Sequence, residues 1–235
     1  MTAATPRVAM ITGAAGNLGK AVAAAFSAAG AELVLVDRSA DLLQAAFGQE
    51  GASRMFVPTD LLDAAQAKAA LDIAVARFGR VDVLCNLAGG FRMGEAVHET
   101  SDATWDFLLD LNARTLLNMA RAVVPHMLAR GSGKIVNVGA FAAQRGVAQM
   151  GAYTAAKSSV IRLTEAMAAE LRERGINVNC VLPTIIDTPE NRAAMPDADP
   201  ARWVAPADLA GVIVFLASDA ARAVHGAAVP VTGLS

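Results

Sequence analysis

Short runs of apolar residues alternate with longer stretches of helical periodicity along the whole chain. "RVAMIT" precedes a helix predicted from about Leu18 to Ala29, "AELVLVD" one near Ala40 to Phe47, and "SRMFVPTD" one from about Ala64 to Phe78. "VDVLCNLAG" leads into a helix from about Ser101 to Ala129, and "GKIVNVGA" into one from about Met150 to Arg174. "GINVNCVLP" is a sixth strand. A proline-rich irregular stretch from Thr184 to Pro206, a helix from about Ala207 to Ser218 and a short strand near Ala227 to Val231 follow it. Strands that are apolar throughout are buried on both faces, and regular alternation with helices makes them parallel. The expectation is therefore an α/β fold, a doubly wound parallel sheet of about seven strands with helices on both faces.

In such a sheet the ligand lies beyond the carboxyl ends of the strands, so the residues that follow each strand carry the functional information. After the first strand, "TGAAGNLGK" (Thr12 to Lys20) is a glycine-rich turn that opens directly into a helix. Gly13, Ala15, Asn17, Leu18 and Gly19 fall within it. Small residues let the backbone approach a pyrophosphate, and the helix N-terminus offers free N–H groups and a favourable dipole. The second strand ends at Asp37. A carboxylate there accepts from the adenosine ribose hydroxyls and repels a 2′-phosphate, which favours NAD over NADP. Arg38, next to it, offers the opposite possibility of holding a phosphate or stacking on adenine.

Asp60, after the third strand, either accepts from the adenine amino group, with Leu61 packed near the ring, or caps the following helix. After the fourth strand, Asn86, Ala88, Gly89 and Gly90 form either a passage for a ribose or a plain tight turn. Tyr153, the only tyrosine in the chain, and Lys157 lie one helical turn apart and so on one face. An ammonium beside the phenol and an oxidised nicotinamide both favour the phenolate, which makes Tyr153 a candidate proton donor and acceptor.

Composition narrows the partners. Within 235 residues, 54% are hydrophobic, enough to fill one domain spanning 1–235. The net charge is −2 with no basic run, which argues against nucleic acid. No stretch reaches the roughly 20 apolar residues of a membrane span, and the first seven residues lack the order of a secretion signal. A cytoplasmic protein is expected. Cys85 and Cys180 sit in apolar strands and read as buried thiols, and His98, His126 and His225 are scattered, so no metal site is expected.

These features, in this order, resemble the short-chain dehydrogenase/reductase family from Thr12 to about Gly233. The shared pattern is the glycine-rich turn, the strand-end Asp, an Asn-x-Ala-Gly turn, a helix Asn at Asn112, Tyr153-x-x-x-Lys157, and Pro183, Ile186 and Thr188 in a Pro-x-x-Ile-x-Thr stretch. The resemblance implies a Rossmann-like fold and an oxidoreductase using NAD, or less favourably NADP. It implies that Tyr153 exchanges the proton, and that Lys157 binds the nicotinamide ribose and lowers the tyrosine pKa. Asn112 would hold a water in the proton path, and Ile186 and Thr188 would anchor the carboxamide, with Pro183 among the cofactor-binding residues; alone, Asn112 reads equally as a polar kink in a helix. The resemblance further implies a homodimer or homotetramer through the helices at 150–174 and 207–218, although burial within the monomer explains their apolar faces equally well.

Asn17, Leu87, Thr184 and the "VTGL" ending depart from the family's usual residues. The departure with chemical weight is Ala140, where the family normally carries the Ser that hydrogen-bonds the substrate oxygen. Either another donor such as Gln144 takes over, or the substrate needs a single proton contact, or catalysis is lost. The segment Val181 to Trp203, with "AGG" and Phe91 upstream, is locally similar to dihydropteridine reductases, which also lack that Ser. The first expectation is therefore hydride transfer to a quinonoid pterin or similar conjugated acceptor, with 184–206 covering the substrate. The alternatives are an alcohol/ketone pair, 3-oxoacyl substrates included, or a nucleotide-binding regulator without turnover.

Overall fold

The computed structural model describes residues 5–235. Seven strands form one parallel sheet in the order β3-β2-β1-β4-β5-β6-β7. They are β1 (Val8–Thr12), β2 (Glu32–Asp37), β3 (Arg54–Pro58), β4 (Val83–Asn86), β5 (Gly133–Val138), β6 (Ile176–Pro183) and β7 (Ala228–Val231). Every residue of β1, β4 and β6 is buried, as their mostly apolar character requires of strands covered on both faces, and the buried Asn177 and Asn179 of β6 donate to the backbone carbonyl of Val224.

One face is covered by α3 (Ala64–Phe78), α5 (Thr115–Arg130) and the end of α6 (Gly151–Leu171), through residues such as Leu71, Met119, Met127 and Leu171. The other is covered by α1 (Asn17–Ala28), α2 (Ala40–Phe47) and α8 (Pro206–Leu216), through Val22, Phe26, Leu43, Leu209 and Ile213. Each fully buried side chain of this size contributes roughly 1.5–3 kcal/mol of transfer free energy. Side-chain caps mark the helix starts: Ser39 accepts from the Leu42 N–H, and Asp63 from those of Ala65 and Gln66. Asp63, three residues later than expected, is thus the cap of α3; the Asp60 carboxylate instead accepts from the Leu62 N–H at 2.9 Å.

Two elements differ from the periodicity reading. The helix expected over 101–129 is α4 (Asp102–Leu109), then a widened π turn over Asp110–Arg114, then α5. The extra residue per turn leaves the apolar pattern on either side intact, which is why periodicity does not register it. The irregular stretch after β6 contains a short helix, α7 (Pro189–Ala194), whose N-cap is Thr188.

The order of strands reverses between β1 and β4, so the crevice opens where their carboxyl ends part. Register aligns Thr12 with Asn86, Asn86 with Asn137 and Asn137 with Cys180. This row is tied by side chains: Asn86 Nδ2 donates to Asn137 Oδ1 at 2.9 Å, and Asn137 Nδ2 to Thr164 Oγ1 on α6 at 2.9 Å. A polar strut therefore holds α6 against the strand ends. Among the described residues, no helix is long and apolar enough to cross a membrane.

Candidate active site

The crevice is lined by three turns in mutual contact. Gly13 adopts φ +63°, and a Cβ on it would meet the Ala88 nitrogen at 2.9 Å. Thr12, buried beneath, fixes the second turn: its Oγ1 accepts from the N–H groups of Leu87 and Ala88 at 3.1 and 3.2 Å. Sequence reasoning did not single out Thr12, although a hydroxyl ending an all-apolar strand is a visible signal. A Cβ on Gly19 would lie 2.3 Å from the Gly13 oxygen, so α1 presses directly on the turn before it. The first-turn N–H groups of Asn17, Leu18 and Gly19 have no partner within the helix and are free to receive an anion. The Ala15 N–H does not join them, since it donates to Asp37 Oδ2 at 2.9 Å.

The other oxygen of Asp37 accepts from the Arg38 N–H at 2.7 Å. The carboxylate is thereby anchored at the mouth of the glycine turn. Asn86 Oδ1 is buried with no partner, an acceptor left over beside the crevice. A tight glycine turn, free helix N–H groups, a fixed carboxylate and this spare acceptor fit a dinucleotide held along the strand ends.

Across the crevice, the Asn112 side chain clamps the turn after β4. Its Nδ2 donates to the carbonyls of Gly90 and Leu108 at 3.0 and 2.9 Å, and its Oδ1 accepts from the Gly90 N–H at 3.1 Å. The π turn is what aims Asn112 at this loop, and the side chain is 2% exposed. The two readings of Asn112, kink and site residue, thus coincide in one place, although its amide is spent on backbone. A Cβ on Gly89 would meet Asn112 Oδ1 at 2.8 Å and Lys157 Nζ at 3.1 Å. Asn112, Gly89 and Lys157 are therefore brought together by the absence of one methyl group.

Tyr153 and Lys157 share a face of α6, as their spacing predicts. The Lys157 ammonium donates to the Val138 carbonyl at 2.8 Å, and burial lowers its pKa to about 8. The Tyr153 ring packs edge-on against Phe91, with ring centroids 4.8 Å apart. It also joins an apolar cluster of Ala140, Ala143, Ile161, Cys180 and Leu182. Its hydroxyl makes no hydrogen bond among the described residues. Burial pushes the phenol up to about 12, opposite to the expected lowering by Lys157. The cause is desolvation of the phenol by the apolar cluster around it, while the lysine ammonium is directed to a backbone carbonyl. Gln144, considered as a replacement donor, gives its Nε2 to the Phe141 carbonyl at 3.4 Å.

The remaining expected residues lie after β6. Pro183 ends that strand, Ile186 pairs with Val204, and Thr188 caps α7 by accepting from the Asn191 N–H at 3.2 Å. Asn17 Nδ2 donates to Glu190 Oε2 at 2.8 Å, which ties α7 to the glycine turn. Glu190 carries no sequence signal for this contact, because it depends on two segments 173 residues apart.

Comparison with known proteins agrees with this geometry. A family model described as short chain dehydrogenase matches residues 7–199. The chain belongs to the short-chain dehydrogenase/reductase family. It is an oxidoreductase of that family, with the family's Rossmann-like sheet. It is similar to D-threitol dehydrogenase of Mycolicibacterium smegmatis, 37% identical over 97% of this chain and 92% of the relative. Among solved structures of short-chain dehydrogenases it is similar to a gluconate 5-dehydrogenase from Burkholderia cenocepacia in complex with NADP and tartrate. The TM-score is 0.88 and the identity 33%, over 97% of this chain and 94% of that one. A 3-ketoacyl-(acyl-carrier-protein) reductase from Brucella melitensis complexed with NADH superposes with TM-score 0.86 at 30% identity, over 97% of each chain. These relatives favour an alcohol/ketone chemistry over the pterin chemistry expected first.

Proposed function

We propose that this oxidoreductase interconverts a secondary alcohol and a ketone on a small polar substrate, with NAD preferred and NADP the lesser alternative. The observation that carries the proposal is the Tyr153 phenol, whose O–H is unspent and opens on a cavity beside the crevice. When bound, the nicotinamide ring accepts or donates the hydride. In the reducing direction the ketone carbon would take hydride from the reduced nucleotide and its oxygen the proton of the Tyr153 O–H, leaving a phenolate that regains a proton from solvent; oxidation would be the reverse and would start from the phenolate. Lys157 holds the nicotinamide ribose from beneath the turn at Gly89, and Asn112 keeps that turn in place. Asn86, Ala88 and Gly89 let the ribose pass, and Asp60 and Leu61 border the adenine.

Asp37 selects against a 2′-phosphate, because its carboxylate is fixed by the Ala15 and Arg38 N–H groups and does not swing away. Arg38 lies over the adenine side. Within the single domain of residues 1–235, the segment 184–206 covers the substrate, with Pro183, Ile186 and Thr188 at the carboxamide. The threitol, gluconate and ketoacyl names of the similar proteins support an alcohol/ketone substrate. The enzyme is cytoplasmic and assembles as a homodimer or homotetramer through faces of α6 and α8, the latter carrying exposed Phe215.

The test is NADH and NADPH oxidation against a panel of polyol-derived ketones, oxo acids, 3-oxoacyl thioesters and quinonoid dihydropterin. A ketone in that panel is expected to be turned over, and Tyr153→Phe is expected to slow it by about 10²- to 10⁴-fold while leaving nucleotide binding in place. Turnover of the pterin alone would restore the first expectation. An unchanged rate in Tyr153→Phe would remove the proton role.

A further inference from the structure

Beside Tyr153 lies a cavity of about 170 Å³ whose charged lining consists of Arg92 and Glu95. Ligand pockets usually enclose about 300–1,000 Å³, so this volume suits one end of a substrate rather than the whole. The Arg92 guanidinium carbon lies 3.7 Å from the centroid of the Phe107 ring. Stacking of this kind holds the plane of the fork and leaves its N–H edge outward. Among the described residues Arg92 makes no ion pair and no side-chain hydrogen bond.

Glu95 feels that charge, which after the hydrogen bonds from Thr104 and Ser101 helps to lower its pKa, but it makes no ion pair with Arg92. Its Oε1 accepts from Thr104 Oγ1 at 2.9 Å and Ser101 Oγ at 3.4 Å, and its Oε2 accepts from the Ser101 N–H at 3.0 Å. The loop that carries Arg92 is held on both sides. Phe91 rests edge-on against Tyr153, and the Gly94 N–H donates to the carbonyl of Gln149, a non-glycine residue at φ 61°. An uncommitted, oriented guanidinium thus opens on the same cavity as the phenol.

We propose that Arg92 anchors a substrate carboxylate, so that the preferred substrates are hydroxy acids and their oxo acids, the acid group on Arg92 and the reacting carbon at Tyr153. This rests on the alcohol/ketone reading above. A planar guanidinium matches a carboxylate in a bidentate pair, and the fixed carboxylate of Glu95 nearby disfavours a dianionic phosphate monoester.

The experiment compares kcat/KM for short-chain oxo acids with that for the matching neutral oxo amides and for hydroxyketone phosphates, in the wild-type protein, Arg92→Ala and Arg92→Lys. Loss of a charge-assisted bidentate contact is expected to lower the acid-to-amide ratio about 10- to 100-fold in Arg92→Ala, mostly through KM, with partial recovery in Arg92→Lys. Propionate, added as an unreactive monoanion, is expected to inhibit the wild-type protein competitively and Arg92→Ala much less. Turnover of neutral ketones with the same acid-to-amide ratio in all three proteins would overturn the assignment while leaving the dehydrogenase reading in place. Preference for the phosphates would overturn the carboxylate in favour of a dianion. No turnover of any class would sink the dehydrogenase reading and this inference with it.

Discussion

The two sides of the crevice are built on different principles. On the nucleotide side, backbone touches backbone: the missing side chains of Gly13 and Gly19 are what allow β1, α1 and the turn after β4 to meet. On the substrate side the surface is made of side chains that the fold does not need. Phe91 and Met93 are 53% and 57% exposed, and Arg92 and Gln149 are exposed as well. On the first side a single added methyl at Gly13 or Gly19 would collide with backbone, whereas on the second the exposed side chains have room to differ. A shared nucleotide chemistry and a divergent substrate chemistry follow from that division.

The sharpest way to break the comparison is to add atoms on the nucleotide side. In Gly19→Val the new Cβ would lie within 2.4 Å of the Gly13 and Ala14 carbonyl oxygens, backbone atoms that cannot give way. Overpacking of this kind costs about 1–3 kcal/mol or more, so NADH affinity by fluorescence titration is expected to fall beyond detection and the melting temperature to drop. Gly51→Ala, before β3, where a Cβ meets nothing within 4 Å, is the control and is expected to stabilise by about 0.4–1 kcal/mol. Equal losses in the two variants would dissolve the contrast.

Ala140→Ser tests the boundary between the sides, since it adds one donor beside the phenol. Removing an oxyanion donor typically costs about 10²- to 10³-fold, and restoring one is expected to raise ketone turnover about 10- to 100-fold. Absence of any gain on every ketone would end the carbonyl reading. A smaller effect is expected at Asp37: in Asp37→Asn the NADPH-to-NADH ratio of kcat/KM should rise about tenfold, as the charge repelling a phosphate disappears. An unchanged ratio would move the selectivity to Arg38.

The mildest probe is pH. Because Tyr153 is the only tyrosine, tyrosinate absorbance reports it alone. Its midpoint is expected near 12 in the nucleotide-free protein, and lower when oxidised nucleotide adds positive charge nearby. A midpoint near 10 without nucleotide would show that Lys157 already offsets burial. The linked stability has opposite signs for the two residues. The folded phenol binds its proton more tightly than the unfolded one, so its contribution is present below about pH 10 and is lost as pH rises towards 12. The folded Lys157 binds its proton less tightly, so the cost of burying its charge is relieved as pH rises from about 8 towards 10.5.

Much of the architecture was legible because it is written in local terms. All-apolar runs between helical patterns announce a parallel sheet, a glycine cluster between strand and helix announces a backbone-lined turn, and a Tyr/Lys pair four apart must share a face. What escaped depends on segments remote in the chain. Asn112 was visible as a helix Asn, but only the π turn and the placement of Gly90 make it a clamp. The lysine neighbour and an oxidised nicotinamide suggested a lowered phenol pKa; without nucleotide, burial raises it, because desolvation is set by everything packed around a group and not by its partner alone.

By itself, then, the sequence determined the sheet, the order of its strands' connections, the glycine turn after β1 and the sharing of one face of α6 by Tyr153 and Lys157. Their common cause is that hydrogen-bonding periodicity and glycine's freedom act over a few residues. Tertiary structure alone decided that Glu190 meets Asn17, that Ala140 leaves the phenol in an apolar wall, and that Arg92 lies stacked and uncommitted beside it. Those properties are burial and contact across long chain separations, which exist only once the chain has folded.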